Sequence, residues 1–233
     1  MEWDEIQRAL VVVAHPDDAE FGSAGTVARL TADGKEVTYV ITTDGSKGSS
    51  DSEMTPQRLT ALREGEQRDA ARILGVNDVC FLGFPDGMLL PTLDLRRAIS
   101  GCIRRYKPDV VICQNPTRDF SLNIGVSHPD HLATGEATLA AVYPCARDRM
   151  TFPELLEQGL EPHAVREVWM SGTSIPDHFV DITSTIDTKI QALKAHASQV
   201  GETVGEFIPE RAKQLGSQHD MEYAEGFKRI QMR

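Results

Sequence analysis

The sequence predicts an α/β protein: one domain on a Rossmann-like, mostly parallel sheet with helices on both faces. Three observations carry that expectation. The chain has 233 residues, 40% of them hydrophobic, enough for one sizeable core when domains run to about 100–200 residues. Short apolar runs alternate with segments of helical period in the order βαβαβαβ, the pattern of a parallel sheet covered by helices. No apolar run approaches the roughly 20 residues that span a bilayer. The core sheet is expected over about residues 8–150, followed by a C-terminal strand-and-helix extension over about 151–233.

Taken in order, "ALVVVA", "EVTYVITT", "DVCFLG" and "DVVICQ" are short and rich in β-branched residues, and they read as strands. Between them, "GTVARLTADG", "RLTALREGEQRDAARILG" and "DLRRAISGCIRRY" read as helices. Gly34 and Gly75 stand where helices should end, and Asp109 follows Pro108 where a strand should begin. The stretch Thr43 to Pro56, rich in Gly and Ser, reads as a loop, and long loops in compact domains are often functional. A helix "PDHLATGEATLAAV" comes next, then a Pro-punctuated stretch to Glu161, a strand "REVWMSG" and a short "FVDIT". The final helix is expected over "TIDTKIQALKAHASQV", opened by Thr183 or Ser184 as N-cap.

Charge and cysteine usage exclude several classes. A net charge of −11 and a pI near 5.1 argue against a nucleic-acid partner, which would need clustered Lys and Arg. The opening "MEWDEIQRAL" carries acids where a signal peptide carries basic residues, so a cytoplasmic chain with no membrane partner is expected. Cys80, Cys102, Cys113 and Cys145 form no CxxC pair, which suits reduced thiols better than a disulfide frame or a cysteine zinc site. A homo-oligomer is compatible with the sequence, which does not specify the state.

In open parallel sheets ligands bind beyond the carboxyl ends of the strands. Four polar clusters fall there: "HPDD" after the first strand, "TTDGS" after the second, "GFPDG" after the third and "CQNPTRDFSLNIGVSHPDH" after the fourth. Pro129 suits the first turn of a helix, placing His128 and His131 on nearly one face. Taken singly, each cluster has a plain explanation: a His-x-x-His pair on a surface, or Asp17 or Asp18 capping a helix with Glu20 complementing its positive end. Taken together, they bring two imidazoles and up to three carboxylates to one sheet edge, a nitrogen and oxygen donor set suited to zinc. Catalytic zinc takes three protein ligands and a water whose proton a nearby carboxylate can accept. The remaining histidine could then polarise the oxyanion or protonate the leaving amine.

The segments "AHPDDAEFGSAGT", "LREGEQRDAARILGV", "FLGFPDG", "HPDH" and "KAHASQ" together resemble the LmbE-like/PIG-L superfamily of zinc-dependent N-deacetylases, over residues 10 to about 200. The resemblance implies a Rossmann-like fold and hydrolysis of an N-acetyl group from an N-acetylglucosamine-like amino sugar. It implies His15, Asp18 and His131 as ligands of one Zn2+, although other divalent transition metals suit such donors. It also implies Asp17 as general base, His128 as the histidine stabilising the tetrahedral intermediate, Asp130 as its orienting partner and Arg63 near the substrate. Some members carry an oxyanion-binding tyrosine before the second histidine motif; no Tyr lies between Gln114 and His131 here.

Asp86 in "FPDG" is a candidate substrate contact, or simply part of a Pro-Asp-Gly turn. Asp44, with Gly45, is a candidate for approaching the sugar from the tip of the second strand. His196 reads as structural, and His163, His178 and His219 have no partner pattern. Two alternatives stand beside deacetylation: an amidase acting on a larger acyl group or a thiol conjugate of an amino sugar, and a noncatalytic sugar- or metal-binding module.

Overall fold

The apolar run that opens the sheet is Arg8–Val13 (β1), buried from Ala9 onward. It has to be apolar on both faces because parallel neighbours flank it and helices cover both sides. The computed structural model describes residues 1–201 and 204–232, without the side chains of residues 204 and 205. After β1 come α1 (Asp18–Ala32), β2 (Glu36–Thr43), α2 (Pro56–Ile73), β3 (Asp78–Phe84), α3 (Leu93–Tyr106), β4 (Val110–Gln114) and α4 (Pro129–Ala140). A short α5 (Pro153–Glu157) follows, then β5 (Glu167–Ser171), β6 (His178–Asp181), α6 (Ile186–Lys194), α7 (Val204–Gly216) and β7 (Ala224–Gln231).

The seven strands form one sheet in the order β3-β2-β1-β4-β5-β7-β6. The first five in chain order run parallel, and β7 lies antiparallel between β5 and β6. Alternate residues feed two cores: Val11, Tyr39, Ile41, Ile112 and Trp169 pack on one face, and Leu10, Val12, Val40, Val111 and Met170 on the other. Both faces are therefore covered, as expected for this α/β class. No helix among the described residues is long and apolar enough to cross a membrane.

The expected C-terminal ending differs from the structure. The helix begins at Ile186 after Thr185, not after Thr183 or Ser184, and stops at Lys194; α7 and β7 then follow it. Strand β7, "AEGFKRIQ", lies beyond the last element expected and carries Glu225, Lys228 and Arg229. Partners explain the first and last of these: Glu225 accepts from the Gly25 and Thr26 backbone N–H groups and pairs with Lys189 at 2.5 Å, while Arg229 pairs with Glu167.

The site is positioned where the strand order reverses, between β1 and β4, the switch point at which doubly wound sheets open a crevice. The two strand ends are clasped there by Ala14 N–H donating to Gln114 Oε1 at 3.0 Å.

Candidate active site

Beyond β1 the chain makes a tight elbow. Asp18 Oδ2 accepts from the His15 backbone N–H at 2.8 Å, and Asp17 between them takes φ +95°. A left-handed backbone costs a residue other than glycine on the order of 1–3 kcal/mol and persists only where the surroundings hold it. Here the Asp17 carbonyl accepts from Glu20 and Phe21 at the start of α1, and the Asp17 N–H donates to Gln67 Oε1 at 3.1 Å. The Asp17 side chain makes no capping bond, so its carboxylate is left to face the crevice.

The second motif enters from α4, with His128 as N-cap and Pro129 in its first turn. Gly135, two turns on, permits the approach of α4 to the end of β4, since a Cβ there would lie 2.4 Å from the Gln114 carbonyl oxygen. His131 Nε2 consequently lies 3.1 Å from Asp18 Oδ1, and its Nδ1–H donates to the Val126 carbonyl at 3.2 Å. The other Asp18 oxygen lies 3.2 Å from His15 Nδ1. The elbow and the histidine pair, more than a hundred positions apart in sequence, therefore meet: the ring centroids of His15, His128 and His131 are 5.0–5.3 Å apart.

Three carboxylates surround buried His15, with Asp86 Oδ1 and Asp130 Oδ2 each 3.1 Å from its Nε2 and Asp18 on its other nitrogen. Burial opposes a charged ring, but hydrogen bonds to Asp130, Asp18 and Asp86 carry the His15 pKa up to about 12. Burial would raise Asp18, yet His131 and His15 hold it well below the usual carboxylate range. Burial and the Asp18 charge push Asp17 up to about 7, against the pull of Arg63. Burial, with His15 and His131 nearby, lowers His128. The carboxylates of this buried cluster are balanced by Arg63 and by protonated imidazoles, a balance that a divalent cation among the same donors would equally supply. Among the described residues two triads bring donor atoms within 4.8 Å of one another: His15, His128 and His131, and His15, Asp86 and Asp130. Asp18 is absent from both, although one of its oxygens faces His15 and the other His131. The donors fit a divalent cation, and the clustering alone does not select three of them.

The remaining expected residues separate into those facing the crevice and those shaping it. Arg63, on α2, donates to the Gly45 and Pro16 carbonyls at 3.1 Å each, which fixes its guanidinium 3.7 Å from Asp17 and 3.8 Å from Asp86. It lines a cavity of about 340 Å3 together with Asp17, Asp86, His128 and His131. Asp44 is not part of that lining; its Oδ1 accepts from the Ser46 and Asp86 N–H groups and joins two loops. Asp130 also departs from expectation. Its carboxylate accepts from the Gly87 and Leu89 N–H groups, because the turn after β3 presents bare donors there; only its backbone N–H reaches His128, at Nδ1. Lys47 and Gln199 line the same cavity; Lys47 carries no sequence signal beyond its place in a loop, whereas Gln199 closes the segment "KAHASQ", expected as part of a helix with no site role. A larger cavity of about 660 Å3 touches Asp18 and His131 and is walled by Phe21, Phe179 and Phe207. No tyrosine lines either cavity among the described residues.

An acid and imidazole cluster thus lies at the switch point of a doubly wound sheet, the place where α/β proteins of this class bind small ligands. Residues 10–142 match the family model described as PIG-L, GlcNAc-PI de-N-acetylase. A diacetylchitobiose deacetylase of Thermococcus kodakarensis is 32% identical over 97% of this chain and 84% of its own length. The N,N'-diacetylchitobiose deacetylase from Pyrococcus horikoshii, solved with its inhibitor MPG, superposes with a TM-score of 0.90 at 29% identity, covering 98% of this chain and 85% of that one. GalB from Pseudomonas putida KT2440, a 4-carboxy-2-hydroxymuconate hydratase, superposes at 0.81 with 24% identity over 97% of both chains and shares the fold alone. This chain belongs to the PIG-L (LmbE-like) family, whose deacetylases are in general metal-dependent.

Proposed function

We propose that the protein hydrolyses the N-acetyl group of an N-acetylglucosamine-type amino sugar or glycoside, with zinc held by His15, Asp18 and His131. The observation that carries this reading is an uncapped Asp17 carboxylate beside that donor set, in a cavity that Arg63, Asp86, His128 and His131 also line. A divalent metal bound there supplies Lewis acidity for the amide carbonyl and lowers the pKa of water.

The chain's own residues supply the rest. Asp17 accepts a proton from the attacking water and returns it to the amine nitrogen as the C–N bond breaks; the remaining proton of that water passes from the acetic acid to the amine, so acetate and the protonated amine leave. His128 donates from Nε2–H to the tetrahedral oxyanion. The alternative, in which His128 protonates the amine, is disfavoured because its Nδ1 already accepts the Asp130 N–H. Giving up the Nε2 proton from that neutral ring would leave an imidazolate. Arg63 and Asp86 offer a charged donor and acceptor pair to sugar hydroxyls, and Asp44 shapes the loop that holds Asp86.

The test is amine release from N-acetylglucosamine and its β-linked dimer, with and without chelator. Release that chelator abolishes and zinc restores is expected; none from either sugar by metal-loaded protein would overturn the reading. The larger cavity against Asp18 and His131 favours one second reading, an amidase for longer acyl groups. Faster turnover of N-butyryl or N-hexanoyl glucosamine than of the acetyl compound would select it.

A further inference from the structure

Glu20, Gln67 and His196 are fully buried, and none lines either cavity. They nevertheless form one continuous chain of hydrogen bonds ending at the elbow. Glu20 Oε2 lies 3.0 Å from His196 Nε2, Glu20 Oε1 accepts from Gln67 Nε2 at 3.0 Å, and Gln67 Oε1 accepts from the Asp17 N–H at 3.1 Å. The polarity of this chain is determined at its buried end. A carboxylate can only accept, so it draws the Gln67 NH2 toward itself and turns the Gln67 oxygen toward Asp17. Without Glu20, the amide could as well present its NH2 to the Asp17 N–H, donor against donor. His196 supplies the second partner that lets a carboxylate exist at this depth. Its turn is tied to α2 by Ser198, which donates to Glu66 from both backbone and hydroxyl.

We propose that Gln67, oriented by Glu20 and His196, is a positioning residue that holds Asp17 in its left-handed conformation and so keeps its carboxylate aimed into the crevice. This rests on Asp17 being the general base, as proposed above. A displaced base costs rate without weakening sugar binding, because a misplacement of about 1 Å is worth up to about a hundredfold.

The experiment is a double-mutant cycle. Gln67→Leu is expected to lower kcat by about 10–100-fold, with KM within about twofold and metal content unchanged. In the Asp17→Asn background the same substitution should change kcat by less than about twofold, since no base remains to position. An undiminished Gln67→Leu effect in slow Asp17→Asn protein overturns the inference and leaves the base intact. Wild-type kcat in Asp17→Asn overturns the base and the inference with it. Should Gln67→Leu fail to fold, the exchange Glu20→Gln with Gln67→Glu keeps every hydrogen bond of the chain with only the one between positions 20 and 67 reversed, an acceptor still facing both the Asp17 N–H and His196. It should recover to within about fivefold of wild type while Gln67→Glu alone stays slow; a folded exchange variant as slow as the single one overturns the inference.

Discussion

Replacing Asp17 by Asn separates chemistry from metal binding more cleanly than any other substitution at this site. Asn is nearly isosteric, and among the described residues Asp17 has one ion pair, a long one of 3.7 Å to Arg63, while burial and Asp18 disfavour its charge, so no folding energy is lost with it. Neither His15 nor His131 leans on Asp17, because both are held by Asp18. What disappears is the proton acceptor, and general-base catalysis is worth about 10²–10⁴ in rate, or about 3–5 kcal/mol in the barrier. Turnover should therefore fall by that factor in an amine-release assay while elemental analysis finds zinc at the wild-type ratio. His131→Ala should do the reverse in kind: it removes one of the two imidazoles facing Asp18, and zinc should be lost with the activity. Equal metal loss in the two variants, or a rate loss below about tenfold in Asp17→Asn, would refute the assignment of roles.

Other outcomes follow from the same geometry. His128→Ala should lower kcat by about 10²–10³, the usual cost of one oxyanion donor, with zinc retained; loss of zinc would instead make His128 a ligand, as one of the two donor triads allows. Gly135→Ala puts a methyl group 2.4 Å from the Gln114 carbonyl and should cost about 1–3 kcal/mol, seen as a lower Tm together with lost activity; an unchanged Tm would show that α4 can move without consequence. Glu167 is buried, which by itself would raise its pKa, but Arg229, the Met1 amino group and the Trp169 indole hold it at about 2. Because the folded value lies below the unfolded one, its stabilisation is complete above about pH 4.5 and is lost as pH falls toward 2, in all about 3 kcal/mol. Urea midpoints of wild type should thus drop more steeply across that window than those of Glu167→Gln, and parallel curves would refute the pairing.

Local pattern made most of the fold legible. Val11, Val12 and Val13 announce a strand buried on both faces, and the alternation of such runs with helical segments dictates a parallel sheet with its polar loops at one edge. The ending was illegible for a physical reason: Glu225 and Arg229 look like surface charges until Lys189 and Glu167, distant in sequence, neutralise them inside the sheet.

Sequence alone determined the chemical inventory of this protein, because "HPDD" and "HPDH" must fall at strand ends wherever apolar runs stop and helices begin. Only the tertiary structure decided which groups touch. It turned Asp130 toward His15 and away from His128, gave Asp44 to the loops, and set Gln67 beneath Asp17. Spacing along a chain constrains neighbours within a few residues, whereas a hydrogen bond depends on distances of tenths of an ångström between elements whose approach is set by packing elsewhere, as at Gly135.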